Sequence, residues 1–132
     1  MDPTPLITRL LDRIPQVWAI YGFGSRVTGG ADASSDLDLA ILTPTRIDPL
    51  TLWELSGELA ILAGCPVDLL DLRAASTVMQ YQVITTGRPF RTLNTTQTAL
   101  FECFVCSEKT DLDEARRPLI QQIQREGRIH AR

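Results

Sequence analysis

The apolar run 37–42, LDLAIL, carries one charge, Asp38, and that placement limits what the chain can build. A carboxylate among Leu37, Leu39, Ala40 and Ile41 is costly unless something pairs with it. Asp36 stands two residues earlier. On a strand, residues two apart share a face, so both acids come within reach of one divalent cation. Upstream lies a second β-prone run, 17–21, and after it Gly22, Phe23, Gly24 and Ser25. A Gly-Ser turn offers backbone N–H groups to an anion, and glycine removes the side chain that would block close approach. Magnesium prefers oxygen ligands and is often shared between carboxylates and substrate phosphates. A phosphate holder followed by a metal holder is the layout of a nucleotidyl or phosphoryl transfer site.

The elements follow from spacing. Leu6, Ile7, Leu10, Leu11 and Ile14 recur at helical intervals, which predicts a helix over 4–13 ended by Pro15. Strands are expected at 17–21, 37–42 and 67–72, with a short helix starting near Ser25 and Arg26. Leu52, Leu55, Leu59 and Leu62 predict a helix over 50–63, capped by Asp48 or Thr51 and stopped at Gly64. A further helix is expected over 74–86 and a short strand over 88–93. Residues 98–126 read as mostly helical, broken or bent near 111–118, before a basic, frayed tail. Strands alternating with helices argue for a single α/β domain over 1–132, a small mixed sheet with flanking helices. The helix over 50–63 lets the strand at 67–72 lie beside the Asp38 strand. Asp68 and Asp71 both sit in that third strand, three residues apart, so they face opposite sides and one of them can join Asp36 and Asp38.

Bulk properties exclude several classes. An apolar content of 44% and a charged fraction of 22% are ordinary for a globular domain. No apolar run is long enough to cross a membrane, and the first sixteen residues lack a signal-type core, so a cytoplasmic location is the expectation. The net charge of −3 argues against direct nucleic-acid binding. Three cysteines do not suggest a disulfide framework, and Cys103 and Cys106 lie in a helical pattern with no second ligand motif. G-x-G-x-x-G fails because Val27 stands at its third glycine, and the only histidine, His130, is in the tail. Tyr21 and Phe23 are expected to pack rather than to touch a base.

The Gly-Ser pair, ten intervening residues, Asp-x-Asp and a third acid about 30 residues on resemble the nucleotidyltransferase superfamily typified by DNA polymerase β. The length is similar to that of the minimal nucleotidyltransferases, and the similarity covers a core of about 17–92 with a C-terminal helical segment at about 98–127. That resemblance implies the polymerase β-like fold and a catalytic and metal-binding set of Asp36, Asp38 and Asp68, with Asp68 preferred over Asp71. It implies two Mg2+ ions and ATP as substrate, with Gly24 and Ser25 holding the β- and γ-phosphates, Arg26 either reaching a phosphate or lying solvated on its helix, and Gly29 structural. A chain too short for its own substrate domain resembles the MNT half of HEPN–MNT toxin–antitoxin pairs. In such a pair the chain is a protein adenylyltransferase antitoxin that moves AMP from ATP to a tyrosine of a HEPN-type ribonuclease toxin, as a hetero-oligomer with that toxin. Transfer to a small molecule or antibiotic, and a non-catalytic antitoxin acting by occlusion, are the alternatives.

Overall fold

The computed structural model describes residues 2–24 and 36–130, with side chains to residue 124. Its elements run α1 (Thr4–Arg13), β1 (Ala19–Phe23), β2 (Leu37–Leu42), α2 (Pro49–Ala63), β3 (Val67–Asp71), α3 (Thr77–Thr86), β4 (Arg88–Thr92) and α4 (Thr95–His130). The expected start of a helix near Ser25 lies outside the described residues.

The four strands form one mixed sheet in the order β3-β2-β1-β4. β1 is antiparallel to β2 and β4, and β2 is parallel to β3 through the α2 crossover. One face is covered by α1 and α2, where Leu6, Leu10, Ile20, Leu39, Ile41, Leu55, Leu59 and Leu69 form a core. The other face is covered by α3 and α4, where Tyr21, Ala40, Leu42, Leu72, Val83, Phe101 and Val105 form a second. Each fully buried Leu or Ile in these layers contributes roughly 1.5–3 kcal/mol of transfer free energy.

The local signals are visible at the helix ends. Asp48 caps α2 by accepting from Thr51 N at 3.2 Å, Pro49 occupies the first turn, and Gly64 closes the helix at φ 71°. Arg9 and Arg13 of α1 reach Glu58 of α2 at 2.5 and 2.6 Å, tying the two helices together.

The larger differences from the expectation concern β1, α3 and α4. β1 is Ala19–Phe23 rather than 17–21, because Gly22 and Phe23 pair across to Leu39 and Asp38. Cross-strand pairing here outweighs the poor strand propensity of glycine. α3 begins at Thr77 rather than 74, since Ser76 caps it by accepting from Met79 N. Residues 72–75 form a turn instead, with Ala74 N and Ala75 N donating to Asp71 O and Leu72 O. α4 is continuous from Thr95 to His130 and runs through Pro118 without the expected break. Proline removes one intrahelical bond there, and an ion pair between Lys109 and Asp113 at 2.6 Å braces the preceding turn.

Candidate active site

The strand ends carry the acids. Asp38, second residue of β2, pairs with Phe23 of β1 on one side and with Asp68 of parallel β3 on the other. Alternation along the strands puts Asp38 with Ala40 and Leu42, and Asp68 with Leu70, on the α3–α4 face. Asp36 precedes β2 and is exposed, Asp38 is half-buried, and Asp68 is exposed. Asp38 is held above the ordinary carboxylate range, first by its burial, then by the negative charges of Asp68 and Asp36. The donors are all carboxylate oxygens, the set a hard divalent cation selects. Among the described residues, no three such side chains converge closely enough as placed to enclose an ion.

Gly24 closes β1 beside these acids. Its φ is +81°, a region that L side chains rarely adopt, and a Cβ there would overlap Asp38 Oδ2. The Asp38 carboxylate thus lies against a bare backbone at the end of β1. Ser25, Arg26 and Gly29 lie outside the described residues.

Asp71 has a different occupation. It is 3% exposed and on the α1–α2 face, with Oδ2 accepting from Ile47 N at 2.9 Å and Oδ1 from Arg73 N at 3.0 Å. It fastens the turn after β3 to the segment leading into α2 and is turned away from Asp38. Tyr21 is buried on the α3–α4 face, where its hydroxyl donates to Glu102 at 2.6 Å, and burial raises its pKa. Phe23 is buried in the same layer, so both rings pack. Sequence reading did not single out Glu102, nor the grouping of Arg73 with Trp18 and Phe101. Both depend on where α4 crosses the sheet, which no local signal encodes.

Comparison with known proteins agrees with this fold. The family model for the polymerase β nucleotidyltransferase domain matches residues 6–95. The protein adenylyltransferase MntA of Shewanella oneidensis is 41% identical over 88 residues, which span 67% of this chain and 63% of that relative's length. A crystal structure of a toxin–antitoxin with AMP-PNP superposes with a TM-score of 0.85 at 34% identity, covering 94% of this chain and 99% of the other. A tri-AMPylated Shewanella oneidensis HEPN toxin in complex with MNT antitoxin matches with a TM-score of 0.76 at 34% identity, over 92% and 94% of the two chains. With a matched core that contains β1, β2 and β3 together with Asp36, Asp38 and Asp68, this chain belongs to the polymerase β nucleotidyltransferase family.

Proposed function

We propose that this protein transfers AMP from ATP to a tyrosine of a HEPN-type ribonuclease partner and thereby acts as an antitoxin. The observation that carries the reading is the strand register that sets Asp38 beside Asp68, with Gly24 bare against the Asp38 carboxylate. The likeness to MntA and to HEPN toxin complexes directs the reading toward a protein substrate.

Asp36, Asp38 and Asp68 would hold Mg2+, two ions in the full site. When bound, magnesium supplies positive charge at the triphosphate and at the attacking oxygen. The remaining work falls to the chain. The backbone at Gly24, with Ser25 and Arg26, holds the β- and γ-phosphates as the leaving group. Asp68, exposed at the strand edge, accepts the proton of the tyrosine hydroxyl, whose pKa is about 10 in model peptides. The tyrosine oxygen forms a bond to the α-phosphorus, the bond from that phosphorus to the bridging oxygen breaks, and pyrophosphate leaves. Holding the reactants in line lowers the barrier by removing translational and rotational freedom beforehand.

A partner surface is available on α4. From Asp113 to Gln124 every residue is exposed, Leu119, Ile120 and Ile123 among them. A helical arm of that kind has no core of its own to rest on and suits a second protein. Among the described residues no helix is long and apolar enough to cross a membrane, and we place the pair in the cytoplasm.

Intact-mass spectrometry of the co-incubated pair tests the reaction. The partner is expected to gain AMP units only with ATP and a divalent metal, and Asp38→Asn should abolish the gain in a folded protein. A partner that stays unmodified, yet is still neutralised by Asp38→Asn, would establish occlusion in place of catalysis.

A further inference from the structure

At the end of the sheet away from Asp38 lies a cavity of about 280 Å³ lined by Trp18, Arg73, Gln97, Leu100, Phe101 and Phe104. Arg73 is its charged centre. The guanidinium stacks between the Trp18 ring at 5.4 Å and the Phe101 ring at 5.2 Å, and its Nε donates to Thr43 O at 2.8 Å. These contacts fix the plane of the group and occupy one of its five donors, which leaves the terminal N–H pairs for another acceptor. Among the described residues Arg73 forms no ion pair. The nearest acid in sequence, Asp71, spends both oxygens on the backbone N–H groups of Ile47 and Arg73 on the opposite face. The cavity also opens at the first turn of α4, where Asn94 caps the helix by accepting from Gln97 N at 3.0 Å. Helix N-termini carry partial positive charge. Beside this electropositive floor the rim is apolar, with Leu100 and Phe104 each 60% exposed.

We infer that this cavity is a docking pocket for an acidic side chain of the protein partner, its carboxylate seated on Arg73 and an adjoining apolar side chain laid on Leu100 and Phe104. Charge decides the occupant. In a chain of net charge −3, a stacked arginine without a carboxylate is complementary to an anion and repels a cation. The size matches one side chain and is at the low end for a small ligand. A planar guanidinium locked between rings binds a carboxylate with little loss of side-chain freedom, and Arg and aromatic residues are the types that dominate binding energy at protein interfaces. The pocket is five residues along β2 from Asp38, about 17 Å at strand rise, so a partner anchored there leaves the Asp36–Asp38–Asp68 edge open to present a tyrosine. The inference rests on the partner reading above and adds to it the chemistry of a second contact.

Gln97→Glu is the discriminating variant. Gln97 is exposed and its side chain lies three residues after the helix cap, where glutamate favours the helix, so the change should not cost folding. The new carboxylate would occupy Arg73 and repel the partner's acid. Titration of the HEPN ribonuclease against this chain should show a Kd at least about tenfold weaker for Gln97→Glu at low salt, with the gap narrowing as salt rises. In the transfer assay the loss should fall on KM for the protein partner rather than on kcat, with the thermal midpoint held. Phe104→Ser should also weaken binding, without salt dependence. An unchanged Kd in Gln97→Glu overturns the proposal, and so does weakening by Phe104→Ser alone, which would leave a purely apolar contact. A wild-type pair that binds but transfers no AMP would count against the catalytic reading and leave this one to the titration.

Discussion

Two glycines of this fold have nearly the same backbone and different surroundings, and alanine at each separates structure from chemistry. Gly24 has φ +81° and Gly64 has φ +71°. A left-handed alanine costs roughly 1–2 kcal/mol in the folded state. Alanine also stiffens the unfolded chain, which returns about 0.4–1 kcal/mol. Each variant should therefore lose about 1 kcal/mol, or roughly 4 °C in thermal midpoint for a domain of this size. The side-chain consequence differs. At Gly64 an added Cβ meets nothing within 4 Å, whereas at Gly24 it overlaps Asp38 Oδ2. The Asp38 carboxylate must then rotate away from the turn. A displacement of about 1 Å in a positioning group can cost on the order of 10²-fold in rate. The assay is AMP transfer to the HEPN partner, beside thermal unfolding of both variants. Gly24→Ala should fall about a hundredfold in rate and Gly64→Ala should keep wild-type transfer, with similar midpoints. Equal transfer rates in the two variants would refute the claim that Gly24 is bare for the sake of Asp38. Unshifted midpoints in both would refute the backbone argument.

The two acids of β3 should respond in opposite ways. Asp68→Asn should abolish transfer with little change in stability, since the side chain is exposed, and Asp71→Asn should cost about 1–3 kcal/mol in denaturant unfolding while folded molecules keep their activity. Glu58 is held below the ordinary glutamate range, first by its hydrogen bond from Arg9 and then by the charges of Arg13 and Arg9. A depressed carboxylate pKa stabilises the fold above the unfolded value and loses that effect as pH falls through the folded one. The stability gap between wild type and Glu58→Gln should thus be steady near neutral pH and close below about pH 4.3, as read from chemical denaturation at each pH.

Much of this arrangement was legible in the residues because local rules decide it. The helix over 50–63 was readable from leucine spacing, a cap at Asp48 or Thr51 and its Gly64 stop, and the structure has Asp48 as the cap and Gly64 as the stop. The strand character of 37–42 was readable from an apolar run, and it carries Asp38 to the edge of β3. Two of the misses depend on partners distant in sequence. Gly22 and Phe23 belong to β1 because Leu39 and Asp38 pair with them, and no property of a Gly-Phe-Gly stretch announces that. The stacking of Arg73 on Trp18 and Phe101 is set by packing between residues far apart in the chain.

The register of β3 against β2 is the point on which site and fold meet. Side chains alternate with a period of two, so a slip of one residue would move Asp68 to the α1–α2 face and bring Leu69 to the position beside Asp38. That slip would place a carboxylate level with Leu37, on the apolar α1–α2 face where Leu37 is buried. The penalty for an unpaired buried carboxylate is several kcal/mol at least, so the apolar layer alone opposes it. Asp71 adds a second restraint from the polar side. Its two oxygens hold the N–H groups of Ile47 and Arg73, fixing the last residue of β3 to the chain that leads into α2. A slipped strand would carry Asp71 about 3.3 Å away from Ile47 N. The acid that takes no part in the candidate chemistry is thus what keeps its neighbour Asp68 level with Asp38. The two aspartates of one short strand divide the labour by facing opposite ways.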